Sequence, residues 1–183
     1  MKFKKFKFKK VKSTNNTAIR IIKNSNYKYG MVTSDTQTMG RGQYGKKWIS
    51  YKGNLLVSFF YELKNVNLSL SKLTIINCLL VKKLLTNYYK KKITFKKPND
   101  LLVQNKKISG ILQETISTFG NKFLIVGIGI NIAKSPKIKD YLTTNLNELT
   151  NKSINKREIE NKLKLIFETN FSIMYKMINK FNK

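Results

Sequence analysis

Three short segments of the sequence carry glycine beside a charged or amide side chain. They are GRGQYGKKW at 40–48, KPNDLLVQNKKISGIL at 97–112 and GIGIN at 127–131. Glycine lets a ligand approach the backbone closely, and the neighbouring side chains suit phosphate, nucleotide or magnesium. Taken alone, the first segment also fits a surface turn and the third a strand bulge. Together they predict a site that forms acyl-adenylates.

Acyl-adenylate formation brings two anions together, because a carboxylate attacks the α-phosphate of ATP. That step needs no general base. It needs positive charge and hydrogen-bond donors aimed at phosphate oxygens, with Mg²⁺ on the diphosphate. Arg41 and Lys107 can supply the charge, and a guanidinium grips phosphate by a two-point fork. We expect the loop around Arg41 to close over the nucleotide and exclude water.

The composition removes several other chemistries. The chain has no His and a single Cys, Cys78. An intramolecular disulfide, a His-based triad and a Cys/His zinc cluster are therefore excluded. Cys78 lies in the apolar run NCLLV, which predicts a buried, chemically inert thiol.

The net charge of +28 comes from 37 basic against 9 acidic residues. Such an excess is common in proteins that bind polyanions. Here lysine is scattered through every predicted element and forms no stripe with interleaved aromatics, so we expect no specific DNA binding. A non-catalytic, basic nucleic-acid-binding protein remains the second alternative. The sequence has no secretory signal and no apolar run of the ~20 residues a membrane span needs, so we expect a cytoplasmic protein without membrane contact.

The hydrophobic patterns predict a single α+β domain over 1–183. Predicted strands cover 3–11, 31–34, 54–62, 93–96, 101–103, 107–119 and 122–132, of which the last four form an antiparallel meander. Predicted helices run from Ser13 or Thr14 to Ile22, within 69–89, and from near Asn155, where Glu158 fits a capping box. The expected buried stripes of the two longer helices are Leu73, Ile76, Leu80 and Leu84, and Ile159, Leu163, Ile166, Phe167, Met174 and Ile178.

From about Val11 to beyond Leu149 the sequence resembles the catalytic domain of biotin protein ligases. The family pattern Gly-Arg-Gly, then Gly and Trp, matches Gly40, Arg41, Gly42, Gly45 and Trp48. Pro-Asn-Asp-Leu matches 98–101, the following Lys and Gly-Ile-Leu match Lys107 and 110–112, and Gly-x-Gly-x-Asn matches Gly127, Gly129 and Asn131.

The resemblance implies a mixed, mainly antiparallel sheet flanked by helices, as in class II aminoacyl-tRNA synthetases and biotin ligases. It implies that biotin and MgATP give biotinyl-5′-AMP, and that biotin then passes to a lysine of a biotin carboxyl carrier protein or domain of a carboxylase. A monomer or homodimer is expected, without an N-terminal DNA-binding domain or a C-terminal β-barrel. A lipoate or octanoate ligase or transferase is the first alternative.

The resemblance also implies roles for individual residues. The expected biotin-binding residues are Ser13, Thr14, Asn15, Gln37, Gly40, Arg41, Trp48, Lys107, Gly110, Ile111, Leu112 and Gly127. The expected ATP- and adenylate-binding residues are Arg41, Gly42, Gln43, Trp48, Asn99, Asp100, Lys107, Gly129 and Asn131.

Lys107, Arg41 and Asp100 form the expected catalytic set. Lys107 is expected to hold the biotin carboxylate and the α-phosphate without accepting a proton. Asn131 is expected to contact adenine. Asp100 is expected to help deprotonate the acceptor amine or to touch Mg²⁺, which ATP mainly carries; a turn-capping carboxylate remains the other interpretation. Helix capping is likewise the other interpretation of Ser13 and Thr14.

Overall fold

A computed structural model describes residues 2–63 and 68–181, with backbone only from 171 to 181. Its centre is a seven-stranded sheet in the order β1-β2-β3-β7-β6-β5-β4. The strands are β1 (Lys4–Val11), β2 (Tyr29–Gln37), β3 (Leu55–Glu62), β4 (Thr94–Lys96), β5 (Asp100–Val103), β6 (Lys106–Thr118) and β7 (Asn121–Ile130). β1 pairs in parallel with β2, and the other neighbours pair antiparallel. The predicted mixed, mainly antiparallel sheet is confirmed.

Two tight turns explain why the middle of the chain forms a meander. Gln104 and Asn105 join β5 to β6 with φ of 48° and 61°, and Phe119 and Gly120 join β6 to β7 with φ of 49° and 71°. Two consecutive residues in the left-handed region give a hairpin turn whose twist matches that of the paired strands. Each strand therefore folds back directly on the one before it, as predicted.

In the described part of the chain four α-helices flank the sheet: α1 (Thr14–Lys23), α2 (Leu70–Leu85), α3 (Leu146–Thr150) and α4 (Lys156–Phe181). Helix α3 was not predicted, because five residues are too few to show a helical period. The predicted capping box of α4 is only half formed. The Asn155 side chain accepts from the Arg157 backbone N–H at 2.9 Å. The Glu158 carboxylate instead accepts from the Tyr88 hydroxyl and from Lys162.

Helices α2 and α4 cover one face of the sheet and α1 covers part of the other. The first core includes Phe59, Leu73, Leu84, Leu163 and Phe167, and the second includes Ala18, Ile22, Val32, Phe60 and Ile125. The stripe of α2 is rotated from the prediction: Asn77, Cys78 and Val81 are buried, while Ile76 and Leu80 are half-buried.

The stripe of α4 is buried at Ile159, Leu163 and Phe167, with Ile166 packed against the same core. Met174 and Ile178 lie outside the residues whose side chains are described. Within the described residues, no helix combines the length and apolarity needed to cross a bilayer.

Candidate active site

A cleft of about 370 Å³ opens on the sheet face that α1 only partly covers. This volume lies in the range of small-molecule sites. Its floor follows the sheet register, because alternate residues of neighbouring strands share one face. One row joins Asp100, Gly110, Gly129 and Leu56, and the next row joins Leu112, Gly127 and Ser58. Three glycines in two adjacent rows leave this part of the floor without side chains of its own.

Protein side chains, not open space, occupy the room that these glycines leave. A Cβ on Gly129 would lie 2.3 Å from the Trp48 ring, and one on Gly110 would lie 3.0 Å from it. A Cβ on Gly127 would lie 2.3 Å from Oδ1 of Asn15. Glycine is therefore required at Gly127 and Gly129 by the approach of Asn15 and Trp48. The motifs predict that a ligand fills this room, but Asn15 and Trp48 fill it at these two positions.

The segment from Gly40 to Trp48 forms a closed loop beside the cleft. The Trp48 N–H donates to the Gly40 carbonyl at 2.9 Å, and the Gly42 N–H donates to the Lys46 carbonyl at 2.6 Å. A Cβ on Gly40 would lie 2.3 Å from the Trp48 carbonyl oxygen. Gly40 thus closes the loop and does not line the cleft, whereas Arg41, Gly42, Gln43 and Trp48 do.

A network of hydroxyls and amides forms one end of the cleft. The Thr14 backbone N–H and hydroxyl donate to Oε1 of Gln37 at 2.7 and 3.0 Å. The Ser58 hydroxyl lies 2.8 Å from the Thr14 hydroxyl and 2.5 Å from Oδ1 of Asn15. Ser13 caps α1 by accepting from the Asn16 N–H. Helix capping was one interpretation of both Ser13 and Thr14. In the structure Ser13 caps the helix, whereas Thr14 belongs to the hydroxyl and amide network.

Arg41 reaches across the cleft face to Glu114. Its Nη2 lies 2.9 and 2.7 Å from the two Glu114 carboxylate oxygens. The same carboxylate accepts from Nδ2 of Asn15 at 2.6 Å. Glu114 therefore links the loop that carries Arg41 to the first turn of α1.

Lys107 lies between a carboxylate and two aromatic rings. Its Nζ is 2.8 Å from Oδ1 of Asp100, 5.6 Å from the centre of the Trp48 ring and 5.2 Å from that of Tyr141. The ion pair is close but poorly aligned, because no hydrogen bond from the described residues reaches Asp100 Oδ1. Burial, and then the nearby Asp100 and Asp140 carboxylates, raise the pKa of Tyr141 above its ordinary value. Both rings can stabilise the ammonium by cation–π attraction.

Two asparagines assigned to ATP are held by backbone groups. Nδ2 of Asn99 donates to the Ile111 carbonyl at 2.6 Å, which pins β5 to β6. Asn131 is buried, and its Nδ2 donates to the Thr144 carbonyl at 3.1 Å. Asn131 lies in a small depression beside the cleft, together with Trp48, Lys107 and Tyr141. Its amide thus holds the segment that leads to α3.

The cleft gathers the residues named from the sequence, except Gly40 and Asn131. Its lining includes Ser13, Thr14, Asn15, Gln37, Arg41, Gly42, Gln43, Trp48, Asn99, Asp100, Lys107, Gly110, Ile111, Leu112, Gly127 and Gly129. The sequence motifs do not point to three further residues of the site, Ser58, Glu114 and Tyr141. Ser58 lies within an otherwise apolar strand, and Tyr141 lies outside the helices and strands. Glu114 could have been found, since it continues the alternation of Gly110 and Leu112 along β6.

The described part of the chain holds no group of three or more His, Cys, Asp or Glu side chains arranged for a metal ion. Asp100 is the carboxylate among the lining residues of the cleft nearest to Lys107. One carboxylate beside Lys107 does not by itself form a protein cage for a divalent cation.

Comparison with known proteins identifies relatives over most of the chain. A model described as "Biotin/lipoate A/B protein ligase family" matches residues 7–132. The bifunctional ligase/repressor BirA of Escherichia coli K12 is 32% identical over 102 residues, covering 55% of this chain and 32% of that protein. BirA of Bacillus subtilis 168 is 28% identical over 166 residues, covering 87% of this chain and 51% of that protein.

A solved structure of biotin protein ligase from Aquifex aeolicus, in complex with biotin and ATP, superposes with a TM-score of 0.79. It is 32% identical, and the match covers 97% of this chain and 72% of that chain. The chain thus spans about half or less of the curated relatives' length, but most of this solved ligase.

Proposed function

Because this chain belongs to the biotin/lipoate A/B protein ligase family, we propose that it is an ATP-dependent biotin ligase. Its substrates are biotin and MgATP, and its acceptor is a lysine of a biotin carboxyl carrier protein or domain of a carboxylase. One observation carries the proposal: a single cleft combines a hydroxyl and amide network with the cations Arg41 and Lys107.

Two steps account for the reaction. In the first, a carboxylate oxygen of biotin bonds to the α-phosphorus, the bond from that phosphorus to the bridging oxygen breaks, and diphosphate leaves. In the second, the acceptor amine bonds to the acyl carbon, AMP leaves with the bonding electrons, and the amine loses a proton. The first step needs charge neutralisation, and the second needs a proton acceptor.

Thr14 and Gln37 are proposed to hold the ureido head of biotin, and the buried Ser58 orders Thr14 from behind. Thr14 and Gln37 line one end of the cleft with a hydroxyl and a carboxamide, already ordered by bonds of 2.7 to 3.0 Å. A ureido group needs both kinds of partner when it leaves water. Because these side chains are already ordered before biotin binds, less entropy is lost on binding.

Trp48 and Leu112 are proposed to wall the apolar tail of biotin. The Trp48 ring lies against the floor at Gly129. Ile111 is expected in the same wall from the sequence, but its side chain is buried in the core on the other face of the sheet, so it does not contact the tail. Such a wall excludes water from a hydrolysable adenylate.

Lys107 is proposed to neutralise the carboxylate and the α-phosphate as they meet. In this structure its ammonium contacts Asp100 at 2.8 Å, and because an ammonium carries three N–H donors, the others can reach a phosphate oxygen. Once Lys107 holds the phosphate, Asp100 is the carboxylate that we assign to accept the proton of the acceptor amine. Mg²⁺, when bound with ATP, supplies further charge on the phosphates.

A lipoate or octanoate ligase is the nearest rival, because the same family includes it. The polar network favours biotin, since the ring of lipoate is a disulfide with little use for hydroxyl and amide partners. Incubation of the protein with ATP, Mg²⁺ and either acid, followed by acid quenching, measures the adenylate. We expect biotinyl-AMP; adenylate from lipoate alone contradicts the proposal. Salt-sensitive binding to DNA without binding of either acid supports the nucleic-acid alternative.

A further inference from the structure

Glu114 lies just beyond the floor of the cleft and contacts two of its walls. It follows Gly110 and Leu112 at steps of two along β6, so all three residues lie on one sheet face. Its carboxylate pairs with Nη2 of Arg41 at 2.7 and 2.9 Å and accepts from Nδ2 of Asn15 at 2.6 Å. The side chain is 25% exposed, against 40% for Arg41. This pair is thus partly withdrawn from water.

The pair uses only one nitrogen of the guanidinium. Both short contacts from Arg41 start at Nη2, and no other side-chain hydrogen bond of Arg41 occurs within 2–63 and 68–170. A guanidinium carries five N–H donors on three nitrogens. Nε and Nη1 therefore remain free to bind an anion while Nη2 stays on Glu114. An arginine held on one side is presented to a ligand on its other side.

The contact with Asn15 extends this order into the cleft. Oδ1 of Asn15 lies 2.5 Å from the Ser58 hydroxyl, which also contacts Thr14. Glu114 is therefore the junction between the Arg41 loop and the hydroxyl and amide network. A change at Glu114 acts on the loop directly and on the network only through Asn15.

We infer that Glu114 is a positioning residue, which orients Arg41 to bind the phosphate of the nucleotide. The inference rests on the proposed function, in which Arg41 is one of the two cations of the cleft that binds MgATP. A carboxylate near a phosphate site repels the nucleotide if it does nothing else. Orientation of the guanidinium raises ATP affinity, whereas charge repulsion lowers it. The two effects of Glu114 on ATP affinity therefore have opposite signs.

Glu114→Gln separates these roles, because glutamine keeps an acceptor for Asn15 while removing the charge. We expect MgATP affinity, measured by calorimetry, to fall by about 5-fold or more, and adenylate formation at saturating substrates to slow by about 10-fold or more. Biotin affinity is expected to change by less than about 2-fold. Tighter MgATP binding, or unchanged ATP affinity and rate, overturns the inference.

Glu158→Gln is the matched control, since Glu158 also pairs with a basic side chain, Lys162, but lies on α4 outside the cleft. We expect Glu158→Gln to leave both the MgATP affinity and the rate of adenylate formation unchanged. In an Arg41→Ala background, Glu114→Gln is expected to have almost no further effect, because its action runs through the missing guanidinium. An equal effect in both backgrounds contradicts positioning through Arg41.

The two proposals fail in distinguishable ways. If the wild-type protein binds MgATP but makes no biotinyl-AMP, the ligase proposal fails while the ATP affinity of Glu114→Gln still decides the positioning role. If the wild-type protein does not bind MgATP, both fail. If biotinyl-AMP forms and Glu114→Gln matches wild type in rate and affinity, only the positioning role fails.

Discussion

The indole of Trp48 lies so close to Gly129 that a Cβ on this glycine would be 2.3 Å from two carbons of the ring. Gly129 has no left-handed backbone angle. The requirement for glycine is therefore steric and comes from one side chain. This contact sets the position of the aromatic wall that also lies beside Lys107.

Gly129→Ala is predicted to displace Trp48 from the floor of the cleft. We expect a stability loss of about 1–3 kcal/mol, because the ring must leave a packed position. Biotin affinity should fall by about 10-fold or more as the wall moves. Trp48 is the only tryptophan of the chain, so its fluorescence reports the displacement directly.

A smaller ring provides the control for this prediction. In Trp48→Phe the benzene ring is smaller than the indole, so we expect Gly129→Ala to cost less stability in that background than in the wild type, by thermal unfolding. Equal costs in the two backgrounds would show that Trp48 is not the group that excludes the methyl.

Lys107→Ala is predicted to slow biotinyl-AMP formation by about 100-fold or more without unfolding the protein. The loss follows from removing a positive charge from a partly buried site where two anions meet. Single-turnover measurement of acid-quenched adenylate gives the rate, and circular dichroism gives the fold.

Lys106→Ala is a close control, because Lys106 is the preceding residue of the same strand, half-buried like Lys107, and does not line the cleft. Its rate should stay within about 2-fold of wild type. Similar losses in both variants would indicate a general effect of charge, and near-normal rates in both would remove the proposed role of Lys107.

Much of this site follows from local patterns in the sequence. Lys107 and Gly110 were identified because the motif and the strand lie in one short segment, and the register then brings Gly110 beside Gly129. Alternation along β6 was sufficient to place Gly110 and Leu112 on one face. The same rule extends to Glu114, which was overlooked because it lies outside the motif.

Other features depend on long-range packing and could not be inferred from the sequence. Ser58 joins the network only because β3 lies beside β7 and α1 crosses above it. The contact of Asn131 with adenine stays a prediction, and the structure adds that its amide donates to a carbonyl 13 residues away. That bond depends on the path of the segment between β7 and α3, which has no periodic pattern.

Thr14→Val is predicted to weaken biotin binding by about 10-fold, which corresponds to about 1.4 kcal/mol. The hydroxyl links Gln37 to Ser58, and its loss leaves both polar groups short of a partner. Isothermal titration with biotin measures the change.

Thr17→Val controls for the general cost of removing a buried hydroxyl from α1. The Thr17 hydroxyl donates to the Ser13 carbonyl at 2.9 Å and does not contact the network. We expect some loss of stability from this variant but biotin affinity close to wild type. If both variants weaken biotin equally, the effect belongs to the helix and not to Thr14.

Cys78 is predicted to resist thiol reagents in the folded protein. Its side chain is fully buried on α2, and burial raises the pKa of its thiol from 9.0 to about 12. Because the thiolate is the reactive form, both access and ionisation oppose labelling at pH 8. Dithionitrobenzoate should react slowly in buffer and rapidly in denaturant. Rapid labelling of the folded protein would show that the thiol is accessible and would contradict the packing of α2 against the sheet.

The raised pKa of Cys78 also makes the unfolding free energy depend on pH. Because the thiol of the unfolded chain ionises first, the contribution of Cys78 to stability is full below about pH 9 and declines as pH rises toward 12. The difference in unfolding free energy between wild type and Cys78→Ala should therefore shrink above pH 9.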